Sequence, residues 1–130
     1  MKNNILKLII YLYYLSLVLL LIIYLFPGSV IGYLLYGNLG KQPNLINNPI
    51  GTTINHFFYF FYLTFLGIIY NLNEKKFINS FLFLFILSFF LELLHFFIPN
   101  RAFELNDLLA NITGVVSIFF LLTLKKIFTR

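Results

Sequence analysis

Six side chains with acid–base or hydrogen-bonding chemistry lie in or beside the long apolar runs of this chain: His56, Glu92, His95, Arg101, Asp107 and Asn111. Carboxylates and histidines accept and release protons, and an arginine presents a planar fork that binds a carboxylate or phosphate through two parallel hydrogen bonds. We interpret Glu92 and Asp107 as candidate catalytic residues. The other four are candidate ligand-binding residues.

The third apolar run carries its polar residues at helical spacing. Ser88, Glu92, His95 and Pro99 follow one another at intervals of four, three and four residues, which places them on one face of a helix with about 3.6 residues per turn. Phe and Leu fill the rest of the circumference. Glu92 is therefore expected to point into a helix bundle.

Two other runs repeat this pattern. Asp107, Ala110, Asn111 and Gly114 share a face of the fourth run, and the small residues among them suit a close approach between helices. His56 lies about one turn into the second run. We expect three helices to present their polar groups to one interior at similar depth.

The composition indicates which elements position these groups. The chain has 130 residues, of which 61% are hydrophobic and 10% charged, against about 25% charged in an ordinary soluble domain. Four apolar runs, at about residues 5–26, 53–70, 77–98 and 105–124, approach the roughly 20 residues that cross a bilayer. We predict an all-α polytopic membrane protein, a single domain over residues 1–130 with four transmembrane helices.

The positive charges indicate an orientation. The net charge is +5, but no basic run is long enough to predict a nucleic-acid partner. Seven cations flank the runs on one side, against only Lys41 and Arg101 on the other, and cytoplasmic flanks are the ones rich in Lys and Arg. Both termini are predicted to be cytoplasmic, in a bacterial cytoplasmic membrane, with the polar site facing outward. The seven cations are Lys2, Lys7, Lys75, Lys76, Lys125, Lys126 and Arg130.

The buried carboxylates need partners. An unpartnered charge at the centre of a membrane helix costs about 2.5–3.5 kcal/mol, so we expect Arg101 to offer its fork to Glu92 or Asp107. One arginine with two carboxylates and an asparagine is net negative, unless a carboxylate is protonated or a histidine is charged. Asp107 also suits the N-cap of the fourth helix.

Three functions fit these residues. The first is a pocket that binds an anionic lipid headgroup or phosphate, the second is a closed clamp that only holds the helices together, and the third is a hydrolase or transferase acting on a lipid-linked substrate. Catalysis stays an open question. The chain has no cysteine and no H-E-x-x-H motif, and its two histidines belong to different helices, so we expect neither a metal nor a cofactor.

Four short motifs resemble the VanZ-like family of small integral membrane proteins. They are Asn55–Tyr59 (NHFFY), Glu92–His95 (ELLH), Pro99–Arg101 (PNR) and Asp107–Gly114 (DLLANITG), within a region of about residues 53–119. Members of this family carry H-F-x-x-[FY], E-x-x-Q, P-x-R and D-x-x-x-N-x-x-G in the same order. The resemblance implies a protein of the bacterial cell envelope with a link to teicoplanin susceptibility, and it implies no particular reaction. The expectation of an anionic envelope lipid or cell-wall precursor as the ligand comes from the planar fork of Arg101.

The sequence departs from the family pattern at two places. His95 stands where the family usually has Gln, and Thr52 and Thr53 stand where an Asp-Lys pair is usual. If that pair takes part in the activity of the family, this chain has altered or lost it.

Overall fold

The structure is a computed structural model that describes residues 2–42, 51–71 and 77–128. These residues are helical apart from turns and loops, which agrees with the predicted all-α class. Five helices are formed in the described ranges: α1 (Lys2–Leu25), α2 (Val30–Tyr36), α3 (Thr53–Asn71), α4 (Phe77–Leu94) and α5 (Leu105–Phe128).

The third predicted helix ends earlier than expected. We predicted that it runs to Ile98, but α4 stops at Leu94. The next amides, those of His95, Phe96 and Phe97, donate to carbonyls three residues back, in a tightened last turn. Pro99 explains this, since a proline disfavours α-conformation in the residue before it and has no N–H of its own. Pro99 is therefore outside the helix whose polar face it was predicted to share.

Helix α3 packs against α1, α4 and α5. Large apolar side chains that are fully buried fill the space between these helices, among them Leu20, Phe60, Leu84 and Val115. Gly114 lies where α5 crosses α3, and a Cβ there would stand 2.5 Å from the carbonyl oxygen of Phe57. The small residue predicted at a close helix contact therefore lies at one.

Short helix α2 is capped at both ends and packs against the loop that follows it. The Ser29 hydroxyl accepts a hydrogen bond from the Gly32 amide as its N-cap, and Gly37 ends the helix with a left-handed φ of 64°. A Cβ on Gly32 would collide with the Lys41 carbonyl. Glycine there lets the returning loop lie directly against α2.

One helix in the described part of the chain, Asn4–Leu25, is long and apolar enough to cross a membrane. The apolar stretches of the other long helices are shorter within that part, at Thr53–Ile69, Ser80–Leu94 and Leu105–Leu121. The structure does not describe the side chains of most of the cations on which the predicted orientation depends. These are Lys2, Lys75, Lys76, Lys125, Lys126 and Arg130.

Candidate functional site

Four helix ends meet at one end of the bundle and bury polar side chains between them. Tyr24 is in the last turn of α1, His56 in the first turn of α3, Glu92 in the last turn of α4, and Asp107 and Asn111 in the first turns of α5. All five are buried, and Glu92 and Asn111 are fully inaccessible to solvent. The structure thus brings together the residues whose spacing predicted a common interior, and it adds Tyr24.

The Tyr24 hydroxyl joins three helices. It donates a hydrogen bond of 2.7 Å to Asn111 Oδ1 and lies 2.6 Å from His56 Nδ1. On the far side of the imidazole, His56 Nε2 lies 3.3 Å from Asp107 Oδ2. The Thr53 hydroxyl donates to the other oxygen of Asp107 over 2.6 Å. A continuous chain of polar contacts therefore links α1, α3 and α5.

One assignment of protons satisfies every contact in this chain. Tyr24 has one hydroxyl proton, and in this arrangement it goes to Asn111, so His56 Nδ1 must donate to the tyrosine oxygen. The contact between Nε2 and the Asp107 carboxylate then needs one more proton between them. In this assignment the His56–Asp107 pair carries no net charge, whichever of the two side chains holds that proton.

A second histidine–carboxylate pair lies on α4 and the turn after it. His95 Nδ1 is 3.1 Å from Glu92 Oε1, and its Nε2 is 3.3 Å from the Tyr24 carbonyl oxygen. That oxygen only accepts, so Nε2 donates to it, and one further proton lies between Nδ1 and the carboxylate. With that proton in place the Glu92–His95 pair also carries no net charge, which suits its burial because an unpaired charge there would be costly.

Two neighbours hold the Glu92–His95 pair in place. The Glu104 backbone amide donates to Glu92 Oε1 over 3.1 Å. The His95 ring stacks on the Tyr24 ring, with centroids 5.4 Å apart and planes 19° from parallel. Glu92 Oε2 and Asn111 Nδ2 are buried without a hydrogen-bond partner among the described residues.

Arg101 does not form the predicted ion pair. Its Nη2 donates to the carbonyl oxygen of Ile23 over 2.8 Å and its Nε to that of Phe26 over 3.4 Å. The guanidinium therefore caps the C-terminal end of α1, where free carbonyls and the helix dipole favour a cation. Burial lowers the pKa of Arg101, and nearby acidic side chains oppose this shift. The partners expected for it, Glu92 and Asp107, each contact a histidine instead.

Two cavities adjoin this site. A polar one of about 290 Å³ is lined by Gln42, His95, Asn100, Arg101, Ala102, Glu104 and Asp107. A mainly apolar one of about 270 Å³ extends between α1, α2 and α3. Both cavities have Gln42, His95 and Arg101 as wall residues. These three side chains therefore lie between the two cavities, at the edge of the buried polar cluster.

Tyr24 is the site residue that the sequence interpretation missed. The first run was taken as a plain apolar helix, but Tyr13, Ser16, Leu20 and Tyr24 are its most buried residues and recur at intervals of three or four. Those intervals define one helix face. Hydroxyl-bearing side chains along a single face of the run were the signal available in the sequence.

Comparison with known protein families, curated proteins and solved structures finds no match for this chain. The chemical interpretation of the site therefore depends on its geometry. The two histidine–carboxylate pairs can accept, hold or release protons, and the arginine at the rim can bind an oxyanion. Among the described residues, no three His, Asp or Glu side chains are placed to hold one metal ion.

Proposed function

We propose that this chain is a four-span, VanZ-like membrane protein of the bacterial cell envelope. Its helix-end site binds the anionic headgroup or phosphate of an envelope lipid or cell-wall precursor. If the protein is an enzyme, the same site modifies that ligand. The observation that carries the proposal is a neutralised, buried polar cluster beside a cavity whose wall includes the cation Arg101. Six residues belong to the proposed site: His56, Glu92, His95, Arg101, Asp107 and Asn111.

The distribution of polarity supports a bilayer as the surroundings of the bundle. Polar Thr64, Ser88 and Glu92 are fully buried, whereas large apolar side chains such as Phe83 and Phe90 are about half exposed on the outer face of α4. Soluble monomers rarely expose apolar surface on this scale. Lipid chains would cover these outer faces without cost.

Helix lengths are compatible with four spans. Helices α3, α4 and α5 have 19, 18 and 24 residues. At about 1.5 Å per residue they extend over roughly 27–36 Å, close to the ~30 Å of a hydrocarbon core. The outer surface would then contain the segment between α1 and α3, with exposed Lys41, and the turn between α4 and α5, with Arg101.

Arg101 supports an oxyanion as the ligand. A guanidinium has five N–H donors. Two of them bind the carbonyls of Ile23 and Phe26, and the other three have no hydrogen-bond partner among the described residues. These bonds also hold the side chain in one position before any ligand arrives. A pre-positioned fork binds a phosphate with little loss of side-chain entropy.

The second candidate function is an accessory protein in which the polar cluster is an interhelical clamp. The inward-facing contacts of Tyr24 with His56 and Asn111 favour it, since they join three helices without any ligand. The capping of α1 by Arg101 has the same effect. In that case apolar replacements of similar size would preserve function.

The proposed topology can be tested with single cysteines, because the chain has none of its own. Ala102→Cys and Asn38→Cys should react with a membrane-impermeant maleimide in intact cells. Glu74→Cys, in the segment between α3 and α4, should react only after permeabilisation. The reverse pattern, or equal labelling of all three positions, would refute the four-span orientation.

The proposed binding function is tested by Arg101→Gln, with Lys41→Gln as a matched loss of positive charge on a side chain that lines neither cavity. In bacteria expressing the protein, Arg101→Gln should remove any effect on teicoplanin susceptibility while the amount of folded protein in the membrane is unchanged. Lys41→Gln should retain the effect. Loss of folded protein in parallel with the effect would instead favour the clamp.

A further inference from the structure

Among the described residues, the wall of the polar cavity holds one positive and one negative side chain that form no ion pair. The carboxylates behind it already have partners: Glu92 contacts His95. One oxygen of Asp107 accepts from Thr53 and the other contacts His56. This leaves Arg101 and Glu104 as the charged residues of the wall. The two are three positions apart in the turn between α4 and α5.

Glu104 has an unused carboxylate. Its backbone amide is bonded to Glu92, but its exposed side chain accepts no hydrogen bond from the described residues. Burial, together with the acidic side chains of Asp107 and Glu92, raises the pKa of the Glu104 carboxyl. The Glu104 carboxylate is exposed and lines the same cavity as Arg101, so a cationic group bound in that cavity could pair with it.

The apolar cavity adds a third requirement for the ligand. Leu20, Ile23, Ile31 and Leu35 form much of its wall, and Arg101 lines both this cavity and the polar one. Its volume of about 270 Å³ is about nine times the ~30 Å³ that one water molecule occupies in the liquid. The space suits a segment of hydrocarbon chain, with the polar part of the same molecule in the neighbouring cavity.

We propose that the joined cavities bind a zwitterionic phospholipid of the phosphoethanolamine type. Its phosphate lies against the free N–H groups of Arg101, its ammonium against the Glu104 carboxylate, and part of an acyl chain in the apolar cavity. The proposal depends on the role of Arg101 given above and narrows the ligand from any anionic headgroup to one that also carries a cation. A phosphatidylglycerol headgroup, which has no ammonium, would leave Glu104 facing a like charge.

The test is native mass spectrometry of the full-length protein in detergent, titrated with phosphatidylethanolamine or phosphatidylglycerol of identical acyl chains. The parent protein should bind phosphatidylethanolamine about tenfold more tightly, the effect of roughly one charge-assisted hydrogen bond. Glu104→Gln should remove this preference. Glu74→Gln makes the same chemical change in the segment between α3 and α4 and should leave the preference intact.

Two further arms separate this inference from the proposed function. Arg101→Gln should weaken both lipids by a similar factor, since both carry the phosphate. Equal affinity of the two lipids for the parent protein, with Arg101→Gln still weakening both, would overturn the zwitterion inference and leave the proposed function standing. If neither lipid binds, or Arg101→Gln has no effect, both fail.

Binding of the acyl chain in the apolar cavity can be tested separately. Glycerophosphoethanolamine carries the same headgroup without acyl chains and should bind at least about tenfold more weakly than phosphatidylethanolamine, because apolar burial is lost. Ile31→Phe narrows the apolar cavity from its α2 wall and should weaken the full lipid only. Equal binding of the headgroup and the lipid would overturn the role of the apolar cavity.

Discussion

Replacing Tyr24 with phenylalanine removes one oxygen atom from the centre of the buried cluster. That atom donates to Asn111 Oδ1 at 2.7 Å and lies 2.6 Å from His56 Nδ1. The phenylalanine ring still fills the space beside His95 and Phe60. The substitution therefore isolates the two polar contacts from the packing.

The expected decrease in the free energy of unfolding can be bounded from the typical contribution of a buried hydrogen bond. A buried group left without its partner costs about 1–3 kcal/mol in a water-soluble protein, which would give as much as ~6 kcal/mol for two. Hydrogen bonds between membrane helices contribute less, about 0.6 kcal/mol on average and about 1.7 at most, because the unfolded chain in the bilayer also finds partners. We expect Tyr24→Phe to lower the free energy of unfolding by about 1–3 kcal/mol.

The assay is reversible unfolding by SDS in mixed micelles, followed by circular dichroism. Tyr11→Phe is the matched control, since Tyr11 is on the same helix but 71% exposed, and its free energy of unfolding should change by less than about 0.5 kcal/mol. If Tyr24→Phe unfolds no more easily than Tyr11→Phe, the Tyr24 contacts do not hold α1 to α3 and α5, and the reasoning fails.

Two other predictions concern packing and pH. Gly114→Ala should lower the free energy of unfolding by about 1–3 kcal/mol in the same assay, because the added Cβ would meet the backbone of α3. Gly40→Ala is the control and should have little effect, since its added Cβ would meet only the flexible side chain of Asn38. Glu104→Gln should stabilise the lipid-free protein near pH 7 and have no effect at pH values where the carboxyl is protonated in both folded and unfolded chains. The sign follows from the raised folded-state pKa, which favours folding at low pH and loses that contribution as pH rises through it. Equal stabilisation at both pH values would contradict this.

The sequence by itself determined the helices and the faces of two of them. Long apolar runs require backbone groups to be satisfied within each segment, so helices follow, and the spacing of Glu92 with His95 and of Asp107 with Asn111 defined their buried faces. Gly114 at the helix contact followed from the same periodicity. The family likeness, the number of membrane spans and any reaction stay predictions.

The tertiary structure alone decided the partners. Tyr24 lies 32 residues from His56 and 87 from Asn111, so only the packed bundle brings it to the cluster. Arg101 binds backbone carbonyls, and since every residue has a carbonyl, no sequence pattern marks those of Ile23 and Phe26 as acceptors. These two carbonyl oxygens are available to Arg101 because α1 ends there and no later amide of the helix binds them. The charge balance that leaves one cation and one anion at the cavity follows from these contacts.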